Sequence, residues 1–483
     1  MNLALLGPEI VVVGLGLALL LMDLVVPDSR RPLLGAAAAA FTLALCLYMV
    51  SLVGRNGAPG LAFGGMFIAD GLAAFFKALF LLAGTVVLLM SADTAGRPGA
   101  SVTEYYVLVL FALAGMLLCA SANHFAVLYV ALELVTVTFY VLTSYQRNRL
   151  ASLEAGVKYL ILGALSSAFM VYGIALCFGA AGTLSFAGIA ERSAELADNR
   201  LFQLGMLLVL GGLTFKIALF PFQVWAPDVY EGAPAPTTAF LAIGSKAAGV
   251  VLLVRLLGEV VPELATRWMP LLMAISVVSI FYGSLCAIPQ RSLRRLLGYS
   301  SIANGGFVLL GVAAFSKAGS AAVLFYLAAY LFAVLAAFLV VAVVVQKVGS
   351  DDLGALAGLH RRAPLLAVAL TFSMVSLAGV PPLAGFMGKF VILQALVERG
   401  ADLTLWYAVA AVALIGVVIS FWYYFGVLKA VYWPAPAVEG PGLVLSPLLR
   451  ATLYACLAGL IILGVYPGPV WEAAMAAVQG LRL

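Results

Sequence analysis

Residues 204–257 read LGMLLVLGGLTFKIALFPFQVWAPDVYEGAPAPTTAFLAIGSKAAGVVLLVRLL, and two lysines in this stretch, Lys216 and Lys246, decide how the chain is understood. Lys216 stands in an apolar run that Pro221 cuts. Lys246 stands near the middle of the next run, which opens with Pro234 and Pro236. An ammonium at bilayer depth costs about 2.5–3.5 kcal/mol on insertion scales. Two of them in adjacent spans point to a polar interior and mark functional candidates. The competing reading is snorkelling, in which the aliphatic stem carries the ammonium to the headgroups. It suits Lys246 least, because about ten apolar residues flank it on either side, roughly 15 Å of helix.

The rest of the chain is of the same kind. Of 483 residues, 65% are hydrophobic and 10% charged, where a soluble domain has about 25% charged. Windows of about 20 apolar residues, enough for a bilayer span, recur from end to end. About fourteen are expected, at 8–26, 33–53, 67–91, 104–121, 124–146, 156–180, 202–231, 235–257, 269–288, 299–315, 319–346, 364–398, 403–432 and 449–470. The fold class is therefore all-α, a polytopic membrane protein. The N-terminus lacks a basic region and a clear cleavage site and reads as the first span, not as a signal peptide. The longest connection, 181–201, is small and polar, and no segment reads as an appended soluble domain.

The net charge of +5 is informative through its placement and says little of nucleic acid, for which no role is expected. Eight loop cations, Arg55 and Arg255 among them, fall on the side that carries both termini. Thirteen, Arg97 among them, fall on the other, out of 26 in all. The richer side is expected to be cytoplasmic, which puts both termini outside. Cys46, Cys119, Cys177, Cys286 and Cys456 lie singly in apolar runs and read as packing residues. His124 and His360 are too few for a pair of bis-histidine haems, and His360, beside Arg361 and Arg362, reads as a surface residue.

Two spans are interrupted, one at Pro221 and one at Pro381–Pro382 in SLAGVPPLAGFMGKF. Proline removes a donor and clashes with the preceding turn, so the freed carbonyls need protein or water. Paired broken helices point to a transporter of inverted repeats with its site at the breaks; the alternative is a pair of ordinary kinks. Lys216 and Lys389 each lie within eight residues of a break. Glu133, in HFAVLYVALELVTVTFYVLTSY, is read as the only carboxylate deep in a span of the first half. It must be protonated, watered or paired, and Lys216 is the expected partner. Such a pair can act as a proton switch or as a static tie between helices. Lys158 follows Glu154 at i, i+4, the favourable order on one helix face. Asp70 and Lys77, seven apart, are expected to meet other helices or water. Thr214, Ser245, Ser376 and Gln394 are candidates to hold water between the lysines.

These residues carry a resemblance. Residues 215–248, FKIALFPFQVWAPDVYEGAPAPTTAFLAIGSKAA, resemble the signature region of the N subunit of bacterial proton-pumping NADH:quinone oxidoreductase, respiratory complex I. LEAGVKYLILGALSSAFMVYGIAL (153–176) and LAGVPPLAGFMGKF (377–390) resemble it too, and PDVYEGAPAP (227–236) is the most specific part. The resemblance implies two inverted five-helix repeats, each with a broken helix. Residues 1–103 would hold helices 1–3, residues 104–257 the first repeat, residues 258–432 the second, and residues 433–483 the last helix. It implies Glu133 and Lys216 as a modulating pair, Lys246 as the central relay, Lys389 as the lysine of the second repeat and Lys158 as a further member. It also implies that FMN, iron–sulphur clusters and the quinone and NADH sites lie on partner subunits, with no cofactor in this chain. The implied partners are the other membrane subunits and the lipid bilayer, in a bacterial cytoplasmic membrane. Two alternatives are an Mrp-type cation/proton antiporter without redox coupling and a non-pumping scaffold.

Overall fold

The structure, a computed structural model, describes residues 2–54, 59–94, 102–399, 404–433, 443 and 445–482. Arg55 and Arg97 lie outside the described residues. Helices dominate because a backbone in hydrocarbon must satisfy its own donors and acceptors. In chain order these are α1 (Gly7–Asp23), α2 (Arg31–Leu52), α3 (Gly71–Thr94), α4 (Val102–Ala120), α5 (Phe125–Thr143) and α6 (Leu150–Ala181). The first broken span follows as α7 (Arg200–Ile217) and α8 (Ala226–Gly232), then α9 (Ala235–Val260), α10 (Pro262–Ala287), α11 (Leu293–Ala313) and α12 (Lys317–Val348). The second broken span is α13 (Pro364–Ala378) and α14 (Ala384–Arg399), followed by α15 (Leu405–Tyr432), α16 (Pro447–Val465) and a shorter α17 (Gly468–Ala477). Among the described residues thirteen helices are long and apolar enough to cross a membrane, and α13 is a shorter apolar helix.

The structure corrects the sequence reading in four places. The third span begins later than residue 67, because Phe67–Ala69 (β2) pairs antiparallel with Gly60–Ala62 (β1). The connection 181–201 carries two short helical turns, Phe186–Ala190 and Ser193–Leu196. Arg255 is not a loop residue: α9 runs on to Val260, and the guanidinium is fully buried. His360 is a tie, not a free surface side chain, with Nδ1 2.9 Å from the Val431 carbonyl.

Helices α4, α5 and α6 pack in sequence, with α6 against α7 and α8; α10, α11 and α12 do the same, with α12 against α13 and α14. Helix α11 also touches both α8 and α14, the second halves of the two broken spans. Burial sorts centre from rim. The apolar window of α9 is 100% buried and that of α11 94%, against 39% for α6, α15 and α16. Exposed Val130, Ile161, Tyr172, Val418, Trp422 and Ile462 give the rim its apolar surface, as lipid or a neighbouring membrane protein requires.

The breaks are satisfied from within. At the first, Ala218 turns left-handed at φ 61°, Trp225 Nε1 donates to the Phe215 carbonyl at 3.0 Å, and Phe220 N donates to Ser279 Oγ at 3.0 Å. At the second, Gly379 takes φ 87°, a conformation open to glycine without a Cβ clash. Gly385 N donates to Ser376 Oγ at 3.0 Å. Helix α16 packs closely there: a Cβ on Gly464 would lie 2.0 Å from the Pro382 carbonyl oxygen.

Candidate functional site

Three of the four buried lysines among the described residues reach different kinds of neutral acceptor. Lys216 occupies the last turn of α7, directly before the break, and its Nζ donates to Thr136 Oγ1 on α5 at 2.6 Å. Thr136 Oγ1 in turn donates to the Leu132 carbonyl. Lys246 follows a π-helical segment, Leu241–Ser245, inside α9; such widened turns often sit at functional positions. It is 3% exposed, and its Nζ donates to both Oγ and the carbonyl of Ser301 on α11, each at 2.5 Å. Lys389, three residues before the midpoint of α14, turns back to the break, where its Nζ donates to the carbonyls of Leu377 at 2.7 Å and Ala378 at 3.3 Å. The acceptors are thus the carbonyls that end α13, which carry the negative end of that half-helix. No carboxylate lies within ion-pair distance of any of the three among the described residues.

Helix α11 links the second and third lysines. Ser301 Oγ sits 2.8 Å from Tyr230 OH of α8, and Lys389 Nζ lies 5.1 Å from the Phe307 ring. Ser301 and Phe307 are six residues apart, about 9 Å along the helix. Between them Asn304 accepts from Tyr326 OH at 2.7 Å and donates to Ser300 Oγ and Tyr424 OH, each at 3.3 Å. A buried polar network of this kind is worthwhile only when its members are satisfied, and here hydroxyls and a carboxamide satisfy one another.

Glu133 does not meet Lys216 directly. Its Oε1 accepts from Ser167 Oγ at 2.5 Å, while Lys216 is taken by Thr136, one turn further along α5. The expected ion pair is therefore replaced by two hydroxyl contacts on one helix face, with Glu133 turned toward α6. Lys158 makes the expected pair with Glu154 at 2.7 Å and a second with Asp228 at 2.7 Å. Arg295 joins Asp228 and Glu231 to this network. The Lys158 side chain is 43% exposed, so it stands at the rim, apart from the buried row. Of the suggested water-holding residues, Ser376 serves the second break and Thr214 bonds the Gly211 carbonyl. Gln394 points outward to Glu398 and does not lie between lysines.

Several interior charges escape the sequence reading. Glu9 is 4% exposed and pairs with Lys77 at 2.7 Å, so Glu133 is not the only deep carboxylate of the first half. Arg255 bonds Asp70, Glu259 and the Ala120 carbonyl. The polar row Ser300, Ser301 and Asn304 was also missed; its signal is the i, i+4 placement of Ser300 and Asn304 inside an apolar run.

Comparison with known proteins finds relatives along the whole chain. The family model described as "NADH:quinone oxidoreductase/Mrp antiporter, TM" matches residues 122–419. The chain is 39% identical to NADH-quinone oxidoreductase subunit N of Moorella thermoacetica, over 98% of each chain. A chain of respiratory complex I from Thermus thermophilus with bound aureothin superposes with a TM-score of 0.80 at 35% identity, covering 99% of this chain and 100% of that one. A chain of the Mrp complex from Dietzia shares the fold, with a TM-score of 0.84 at 22% identity over 100% of this chain and 98% of that one.

Proposed function

We propose that this chain, which belongs to the NADH:quinone oxidoreductase/Mrp antiporter membrane family, is a proton-translocating membrane subunit of a bacterial NADH:quinone oxidoreductase. One observation carries the reading: three buried ammoniums, at Lys216, Lys246 and Lys389, end on hydroxyls or carbonyls instead of carboxylates. A paired buried charge can be a static tie. An ammonium whose partners are neutral can give up its proton without leaving a counter-ion stranded. The full-length likeness to subunit N chains favours this over a stand-alone Mrp-type antiporter, for which the solved likeness speaks to fold alone.

In this account a proton reaches Lys216 beside the first break, passes to Lys246, and moves along the α11 hydroxyls and Asn304 toward Lys389. Glu133, one turn from the Thr136 hydroxyl that holds Lys216, sets the field at that lysine through the short path along α5. Lys158 belongs to the rim network and steadies α6 against α8 and α11. Electron transfer occurs on partner subunits that carry FMN, iron–sulphur clusters and the quinone site, and this chain contributes the membrane path. The chain divides at 1–103, 104–257, 258–432 and 433–483, with the second and third segments as inverted repeats. Both termini face outward: with Arg255 withdrawn into α9, the side that carries them keeps seven loop cations against thirteen.

The test is Lys246→Ala in the intact complex, reconstituted in vesicles. Assembly and NADH-linked quinone reduction should survive while proton uptake per NADH oxidised falls. Normal proton uptake in that variant removes Lys246 from the path.

A further inference from the structure

The face that bears both termini holds a cavity of about 730 Å³, bordered by Leu5 and Pro8 near one end of the chain and Arg482 near the other. Lys77, Asp70 and Glu259 also line it. Lys77 is 3% exposed, and its Nζ contacts Glu9 Oε1 at 2.7 Å. Apart from that ion pair, neither oxygen of Glu9 accepts a hydrogen bond from a described residue. A buried carboxylate with open lone pairs, behind a lysine that lines a cavity of this size, is a place for ordered water.

The neighbouring charges are already engaged. Asp70 holds Arg255 at 2.9 and 3.1 Å, and Glu259 holds the same guanidinium at 3.1 Å. From α1 Glu9 faces Lys77; Tyr48 of α2, Asp70 just before α3, Arg255 and Glu259 of α9, and Arg482 of the C-terminal segment share the cavity or its wall. On its other side Lys77 Nζ lies 4.8 Å from the Phe67 ring. Lys77 thus makes its direct ion pair with Glu9, on the cavity wall and in the field of Asp70.

We propose that Lys77 and Glu9 form a second proton-exchange site, wetted through this cavity and opening on the face that carries both termini. The Lys77 ammonium gives one proton to cavity water, breaking one N–H bond and leaving a neutral amine beside the Glu9 carboxylate. A proton from within the membrane domain then arrives on Glu9 and passes along the 2.7 Å contact, so that the O–H bond of Glu9 breaks as the N–H bond of Lys77 re-forms and the ion pair is restored. The site lies apart from the Lys216, Lys246 and Lys389 row, and the proposal rests on the reading that this chain moves protons.

Two measurements on the intact complex in vesicles test it. In a background without the five native thiols, Ala73→Cys lies on the cavity wall one turn from Lys77, whereas Ala83→Cys is fully buried further along α3. A charged, membrane-impermeant thiol reagent should modify Ala73→Cys more than about tenfold faster, because a wetted cavity brings water and reagent to its wall, which Ala83 does not line. Equal rates at the two positions overturn the wetted site. The second variant is Glu9→Gln/Lys77→Met, which removes both charges together and leaves none buried alone. Quinone reduction should persist with fewer protons moved per NADH oxidised. An unchanged proton yield makes the pair a static tie between α1 and α3 and overturns the proposal. Failure of the broader reading is separate, because it shows as normal pumping in Lys246→Ala.

Discussion

Ser301→Ala tests the link between Lys246 and α11. Ser301 Oγ accepts from Lys246 Nζ at 2.5 Å and sits 2.8 Å from Tyr230 OH, a phenol that is 1% exposed. The alanine removes a hydrogen bond to a charged donor, worth about 1.5–3 kcal/mol, and leaves the phenol without its partner at a cost of about 1–3 kcal/mol. Lys246 keeps the Ser301 carbonyl, so the total falls in the lower half of the summed range, about 2.5–4 kcal/mol after relaxation. Adding Tyr230→Phe removes the orphaned hydroxyl and should restore about 1–3 kcal/mol of stability. It does not restore the contact to the ammonium. If transfer between Lys246 and Asn304 depends on that contact, 1.5–3 kcal/mol slows it by roughly 10- to 150-fold. The assay is thermal inactivation of the purified complex alongside proton uptake in vesicles. Stability should recover in the double variant while pumping stays low. Wild-type pumping in Ser301→Ala, or recovery of pumping together with stability, refutes the relay through α11.

Three further outcomes are expected. Glu133→Gln keeps a side chain that can bond Ser167 but loses the charge one turn from Thr136; coupling should weaken with assembly intact, and full quinone-linked pumping would make Glu133 a packing group. Gly379→Ala places a Cβ at φ 87°, 3.1 Å from Lys389 Cδ. A left-handed alanine costs about 1–2 kcal/mol, so heat stability and pumping should fall together, whereas Gly426→Ala on α15, with open space around it, should lower neither. Asp351 lies in the loop after α12, where burial pushes its carboxyl up but the Arg294 guanidinium and Ser292 hydroxyl outweigh that and hold it below its ordinary value of 3.8. A depressed carboxylate contributes stability that is present above the ordinary value and lost as pH falls through the lower native one. Asp351→Asn should therefore flatten the acid limb of a heat-stability profile and have its largest effect near neutral pH.

Spans, breaks and interior lysines were legible because each is a local signal: a long apolar run, a proline inside it, a charge far from either end. Pairings were not, because they depend on which helix faces touch. Glu133 and Thr136 share one face of α5, and only packing decides that Lys216 meets the hydroxyl while the carboxylate turns to Ser167. Glu9 sits in the first turn of α1, where a carboxylate looks interfacial, until Lys77 draws it inside. Arg255 follows an apolar run and looks like the start of a loop, but a π-helical segment, Leu256–Val260, carries the helix onward and buries it against Asp70. Lys158 illustrates the opposite case: its i, i+4 partner was visible, yet the spacing does not tell rim from interior. The polar row on α11 was hidden because serine and asparagine also pack helices in membranes without further role.

Proton transfer through this chain requires that the three ammoniums be wetted and linked in mid-membrane. The decisive measurement is a density map of the intact complex at a resolution that shows individual waters. Ordered water should join Lys216 to Lys246 and continue past Ser301 and Asn304 to Lys389. Dry apolar packing between the three, with each ammonium touching only its protein acceptor, would contradict it.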